Sequence, residues 1–493
     1  MNVTRRNFLK TGAAAVAGFT IAPNIILGKS HGHMAPSDTP NIAAVGVGSQ
    51  GGGDIQNIAD PDEKIGRRPN PDRQYGGWVS PNFAGLRPER AMVEQGVQMG
   101  DAGKQPIHHA NMYALCDVDL DYAGHIMAGY PKAKKYQDFR KMLDDCGKEI
   151  DGVLIGTPDH THAIIAAYAM LAGKAVFVEK PMAKTIEEVR YLRDLAKKTG
   201  VVTQMGNQGH NIEGTYQTVE WIRSGAIGDV TEVHMWSDRP VWRQGDYQRP
   251  EGEAIPKNLD YDLWLGPAPL KPYNHNTTHF AWRGMWDYGT GAMGDMGAHT
   301  FDAPIWALGL GMPDTIQATT TPFNDEYLPI TELCEYHFPA RTVDGKKMPE
   351  VTVYWTDGGV KLSRPRELEP NRQLQECLYI GTKGMMMHGT HGATPEFIPA
   401  RPGWKEPAKT LPRPKNIYVD WVEAIKEKRQ AANNFDVAAK LTEIMLLTNI
   451  AVLSQRRNIT LKYDANKMEI TNLPEANQFF RREYRHGWEL PKF

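Results

Sequence analysis

Asn41-Ile-Ala-Ala-Val-Gly-Val-Gly-Ser-Gln-Gly51 runs an apolar strand straight into the spacing Gly46-x-Gly48-x-x-Gly51, and this join decides the fold. The first glycine permits a tight turn, the second lets backbone approach a pyrophosphate, and the third lets the next helix pack close to the strand. Gly52, Gly53, Asp54 and Ile55 then open that helix, whose N-terminus is a ready anion site. A glycine pattern alone is a weak signal. Its position directly after a strand is what gives it meaning.

Working outward, the second strand of such a unit should end in an acid about 20 residues on, to hold ribose hydroxyls. The strand that fits, Met112-Tyr-Ala-Leu-Cys-Asp117, ends 66 residues beyond Gly51. Between them Asp60–His109 is rich in Pro, Gly and Arg, and Pro69, Pro71, Pro81 and Pro88 exclude long helices. This reads as an insertion wrapping over a surface, with Tyr75, Trp78 and Phe83 favouring a packed role over a disordered loop. Asp117 is the expected ribose contact, and an acid there disfavours a 2′-phosphate, hence NAD over NADP. Val118–Gly147 reads as helix, short strand and helix. Strand Asp151–Pro158, helix Ala163–Ala172, strand Ala175–Glu179, helix Lys184–Lys198 and strand Val201–Gln208 follow. Strands alternating with helices predict a parallel, doubly wound sheet over 40–207.

Within that series stands Ala175-Val-Phe-Val-Glu-Lys-Pro181. Glu179 and Lys180 stand at the carboxyl end of the strand, where open α/β sheets bind their ligands, and Pro181 forces a turn. Taken alone, the pair reads first as a strand-end salt bridge at the surface, and only its neighbours reverse that preference. His160 and His162 lie two apart with no third ligand nearby, so no metal site is expected.

Beyond Gly209 the texture changes. Val230–Trp236, Ile316–Thr321, Glu332–Phe338, Glu350–Trp355, Gly359–Leu362 and Gln375–Ile380 read as strands following strands, which predicts an α+β domain with a largely antiparallel sheet over 208–493. Within it, Asp295 and His299 stand four apart in Asp287–Asp302. On a helix starting at Asp295 they share one face, so the acid is expected to orient the imidazole and favour its protonated form. A buried Asp–His pair tying helix to sheet is the competing reading.

Lys and Arg number 56 against 58 Asp and Glu, which makes no electrostatic case for nucleic acid. Four cysteines show neither CxxC pairing nor zinc spacing. Thr4-Arg-Arg-Asn-Phe-Leu-Lys10 followed by an alanine-rich apolar segment resembles a twin-arginine export signal and is too short for a stable span. Residues 1–32 are therefore set aside as a leader, and a periplasmic or otherwise exported protein with no membrane segment after its removal is expected.

Taken together, the glycine loop, Thr157-Pro158, Glu179-Lys180-Pro181 and Gly294-Asp295-x-x-x-His299 resemble the glucose–fructose oxidoreductase/inositol dehydrogenase/rhizopine catabolism (Gfo/Idh/MocA) family. Asp262–Pro269, Trp282-Arg283 and Asp287–Gly309 resemble its exported branch. The resemblance implies a Rossmann domain plus a C-terminal domain built on a large open sheet that serves dimer or tetramer contacts. It implies Lys180, Asp295 and His299 as the catalytic group, and NAD (NADP not excluded) held by Gly46, Gly48, Ser49, Gln50, Gly51, Asp117, Thr157, Pro158, His162, Glu179 and Asn207. His210, Trp282, Arg283 and Tyr288 are substrate-side candidates. The implied reaction oxidises a hydroxyl of a sugar or glycoside. Its rivals are a glycosidase working by transient oxidation, elimination and reduction, and a non-catalytic carbohydrate sensor. The insertion before Asp117 is where this chain departs from the family pattern.

Overall fold

The computed structural model describes residues 39–66 and 107–493. Residues 1–32, expected as an export leader, and the aromatic residues Tyr75, Trp78 and Phe83 lie outside the described residues. The first sheet has six parallel strands: β1 (Asn41–Val45), β2 (Asn111–Cys116), β3 (Lys134–Tyr136), β4 (Gly152–Ile155), β5 (Ala175–Glu179) and β6 (Thr203–Gly206). Their order is β3-β2-β1-β4-β5-β6, so the winding reverses between β1 and β4. At such a switch point the connections diverge and leave a crevice at the strands' carboxyl ends. β4 and β5 are buried along their whole length, which is why both read as unbroken apolar runs.

Helices α1 (Gln50–Gln56), α2 (Leu120–Gly129), α3 (Phe139–Cys146), α4 (Asp159–Leu171) and α5 (Ile186–Thr199) connect these strands. α5 shows how local chemistry sets a boundary. Thr185 and Glu188 form a capping box at its start, and Gly200 takes the left-handed conformation at its end (φ 68°). The insertion leaves and re-enters the sheet at one neck. Asp60 N donates to Ile107 O at 2.8 Å, and Ala59 bridges His108.

The second sheet has nine strands in the order β15-β14-β13-β7-β12-β9-β8-β16-β17. They are β7 (Val230–Trp236), β8 (Thr315–Thr320), β9 (Glu332–Phe338), β12 (Val351–Thr356), β13 (Cys377–Gly381), β14 (Gly384–His388), β15 (Glu396–Ile398), β16 (Leu461–Asp464) and β17 (Glu469–Ile470); β10 (Arg341–Val343) and β11 (Lys346–Met348) form a separate hairpin. Every pair is antiparallel except β7 with β12. Gly359–Leu362, expected as a strand, is loop, because Gly358 and Gly359 both take positive φ and break the extended run.

Two late helices close onto the first sheet. α6 (Ile417–Glu427) brings Tyr418 and Trp421 against Phe177 of β5, with ring centroids 5.4 and 5.7 Å away. α7 (Phe435–Ser454) packs against α5, β6 and β8 at once, and this burial explains its apolar sequence on all faces.

Candidate active site

A cleft of about 1060 Å³, the solvent at its open mouth included, lies at the switch point. Gly46, Gly48, Ser49 and Gln50 line it from the glycine loop, Asp117 and Asp119 from beyond β2, Thr157 and Pro158 from beyond β4, and Glu179 and Lys180 from the end of β5. The residues fit a dinucleotide. A Cβ on Gly51 would run into the carbonyl oxygen of Gly46, and one on Gly48 into the Tyr122 ring, so α1 starts hard against the strand turn. Its first turn carries no acid and its N-cap Ser49 makes no side-chain cap, which leaves the positive end of the helix toward a diphosphate. Because the Gly51 clash is with backbone, Gly51→Ala is expected to cost about 1–3 kcal/mol of stability and to weaken NAD binding. Urea midpoints and NAD titration measure both, and an unchanged NAD affinity would refute the packing argument.

Asp117 has a different immediate role from the ribose contact expected of it. Its Oδ2 accepts from Val47 N (2.9 Å) and Gly48 N (3.0 Å), and its Oδ1 from Asp119 N (3.0 Å). The carboxylate holds the glycine loop in shape. Asp119, unremarked in the sequence, caps α2 and sets its second oxygen 3.2 Å from His279 Nε2. His162 does not line the cleft, contrary to expectation. Its Nδ1 and Nε2 each lie 2.8 Å from a backbone carbonyl, those of Pro181 and Thr157. It ties α4 to the two strand-end turns.

Glu179 lies beside Asp54 of α1, and both are buried. Asp54 Oδ1 accepts from Gln50 Nε2 (2.8 Å) and Tyr418 OH (3.0 Å). Burial pushes Asp54 up to about 7, and burial with the neighbouring Asp54 carboxyl pushes Glu179 well above its ordinary range. The Lys180 ammonium finds its ion-pair partner elsewhere.

That partner is Asp295. Lys180 Nζ stands 2.8 Å from Asp295 Oδ1, joining residues 115 positions apart, with both side chains largely buried. Arg283 Nε and Arg239 Nε lie 3.5 and 3.6 Å from the same carboxylate. Burial alone would raise its pKa, but Lys180, Arg283 and Arg239 together hold it far below the usual range. Asp295 sits in a π-helical turn, Met293–Gly297, followed by Ala298–Thr300. The wider turn undoes the simple four-residue geometry expected of it, and such turns recur at functional sites.

The expected Asp295–His299 pairing is replaced accordingly. His299 Nδ1 donates to Asn207 Oδ1 at 3.1 Å, and the His391 ring lies 4.0 Å away between centroids. Burial first, then His391 and Lys180, push His299 well below its ordinary pKa. The imidazole is therefore neutral, not protonated as expected, and Asn207 fixes the tautomer that leaves Nε2 as the acceptor. Asn207 is buried beside His299 and does not line the cleft. Asn207→Leu is expected to lower kcat by about tenfold or more through loss of that tautomer, with NAD affinity unchanged by titration. A kcat equal to wild type would remove Asn207 from this role.

Of the substrate-side candidates, Trp282 and Arg283 line the cleft, with Arg283 stacked over Trp282 at 4.3 Å. The other two do not. His210 is buried against Asp302 (2.9 Å) and stacked on Trp306, and Tyr288 is fully buried among Trp264 and His160. His391 and Arg239 went unread in the sequence. His391 sits among glycines in the loop after β14, a pattern that hints at a special backbone, and its φ of 64° is left-handed. Arg239 offers no sequence signal beyond following a strand.

Comparison with known proteins agrees with this architecture. Residues 95–207 match "Oxidoreductase family, NAD-binding Rossmann fold", and residues 226–320 with 371–490 match "Oxidoreductase family, C-terminal alpha/beta domain". A glycosyl hydrolase family 109 protein of Shewanella amazonensis is 31% identical over 228 residues, 40% of this chain and 49% of that protein. Inositol 2-dehydrogenase of Salmonella typhimurium is 32% identical over 126 residues, 24% of this chain and 36% of that protein. The chain thus spans about half or less of the length of these relatives. Two solved structures share the fold, each with a TM-score of 0.52 at 15% identity over 86% of this chain. One is an NAD-binding protein of Listeria innocua (97% covered), the other the WlbA dehydrogenase of Bordetella pertussis with NADH and UDP-GlcNAcA (99% covered). With both of the family's domains matched in order and its NAD-binding Rossmann sheet in place, the chain belongs to the Gfo/Idh/MocA oxidoreductase family.

Proposed function

We propose that this protein oxidises a hydroxyl of a sugar or glycoside using a retained NAD. The observation that carries the reading is the Lys180–Asp295 pair at the edge of the dinucleotide cleft, with neutral His299 within its field. Bound NAD supplies the acceptor for the two electrons of the substrate C–H bond. Lys180 donates a hydrogen bond to the substrate oxygen as negative charge grows there. His299 Nε2 takes the hydroxyl proton, and Asn207 holds the ring in the tautomer that can do so. Asp295 keeps the Lys180 ammonium in place.

A second reading is favoured by His391 and by the likeness to glycosyl hydrolase family 109 proteins. Simple oxidation needs one proton acceptor, whereas oxidation, elimination of the aglycone and re-reduction need a second. Aryl glycosides incubated with purified protein and no added cofactor separate the two. Keto-glycoside accumulating with NADH supports the dehydrogenase, and released phenol without keto-sugar supports the round trip. Neither product would leave the carbohydrate sensor. Export through the residue 1–32 leader and assembly as a homodimer or homotetramer through the nine-stranded sheet complete the proposal. Export of the folded, NAD-loaded protein suits a compartment where free NAD is scarce.

A further inference from the structure

Three cations meet on one carboxylate here. Lys180, Arg283 and Arg239 all point charge at Asp295, and Arg239 Nε is buried with no hydrogen-bond partner among the described residues. A guanidinium has five donors in a rigid fork, so one carboxylate already hydrogen-bonded to Lys180 leaves most of them unmet. Arg283 is further held in place by stacking over Phe280 (4.7 Å) and Trp282 (4.3 Å), with its side chain lining the cleft.

The neighbouring acids form no ion pair with Arg239 or Arg283 among the described residues. Asp54 and Glu179 are buried against each other, and burial drives both toward the neutral form. Asp159 is buried, and its Oδ2 accepts from Thr290 Oγ1 at 2.6 Å. Among the ion-pair contacts, three cations thus share the single carboxylate of Asp295. His299 and His391 are both held neutral in this field and add nothing. Buried charge is ordinarily paired, and where the protein does not supply the partner a ligand does.

We infer that the substrate is a sugar carrying its own oxyanion, a ring carboxylate or a phosphate ester, bound by Arg239 and Arg283 beside the reacting hydroxyl. The placement of the sugar rests on the reading proposed above, but its charge is tested by binding alone, without turnover. NAD-loaded wild-type protein is titrated calorimetrically with matched sets of methyl hexosides, methyl hexuronides and hexose 6-phosphates, with inorganic phosphate as control. At least one charged sugar is expected to bind tenfold or more tighter than its neutral counterpart, with the margin shrinking as salt rises. A uronide preference identifies a carboxylate, and a hexose phosphate preference a phosphate ester. In Arg239→Gln and Arg283→Gln, each first shown by thermal melt and NAD titration to be folded and NAD-loaded, the margin is expected to fall at least tenfold. Neutral sugars binding as well as charged ones, no charged sugar reaching the tenfold margin, or free phosphate binding as tightly as any sugar would each overturn the inference. A charged-sugar preference without turnover would uphold it and sink the dehydrogenase reading instead.

Discussion

Lys180→Ala is expected to lower kcat by about 10³-fold, the scale on which removing one oriented donor to a developing oxyanion acts. The same protein should still bind NAD, because the glycine loop, Asp117 and α1 do not depend on this ammonium. It should also fold. In a fully buried pair, deleting one partner costs about 3–5 kcal/mol, but Asp295 keeps Arg239 and Arg283 at 3.6 and 3.5 Å, so the loss here should fall below that range. Single-turnover reduction of bound NAD, read at saturating glycoside alongside a thermal melt, separates chemistry from stability. A rate near wild type in a folded, NAD-bound variant would rule out the catalytic assignment of Lys180. It would revive the sensor reading.

His299→Asn comes second, with an expected loss of about 10²- to 10⁴-fold in kcat, the usual worth of a positioned general base. Its pH signature is the sharper test. The base works as neutral imidazole, and its pKa is depressed below the ordinary 6.5 by burial, His391 and Lys180. Lowering the pH through 6.5 therefore does not protonate it, and kcat/KM should stay level there before falling in more acid solution. An acid limb centred at or above 6.5 would show that His299 is not the group titrating, or that Asp295 stabilises its charged form after all. Loss of the limb in His299→Asn would assign it.

These effects converge because the site is assembled from five separate ends. Lys180 comes from just beyond β5, Asn207 from just beyond β6, Arg239 from just beyond β7, Asp295 from the π-helical turn with His299 directly after it, and His391 from the loop after β14. Displacing any of these ends by an ångström would misplace a proton donor or acceptor, and rates are sensitive on that scale. The close packing of α7 against β6, β8 and the π-helical turn holds three of the neighbouring elements in one frame.

What the amino-acid sequence determined by itself is the nucleotide-binding half. Strands buried on both faces must be apolar throughout, and a glycine turn against a helix start tolerates no Cβ, so both leave marks within a few residues of one another. The strand-end position of Lys180 was legible for the same reason. The tertiary structure alone decided the chemistry around it. Asp295 pairs with a lysine 115 positions away instead of the histidine four positions away, and His299 finds Asn207 across 92 positions. Asp117 turns to the loop amides, and His210, Tyr288 and His162 turn inward. Each of these outcomes depends on which charges and carbonyls burial brings within about 3–4 Å, where low dielectric makes electrostatic interactions strong. That distance is a property of the folded chain, and local spacing carries no record of it.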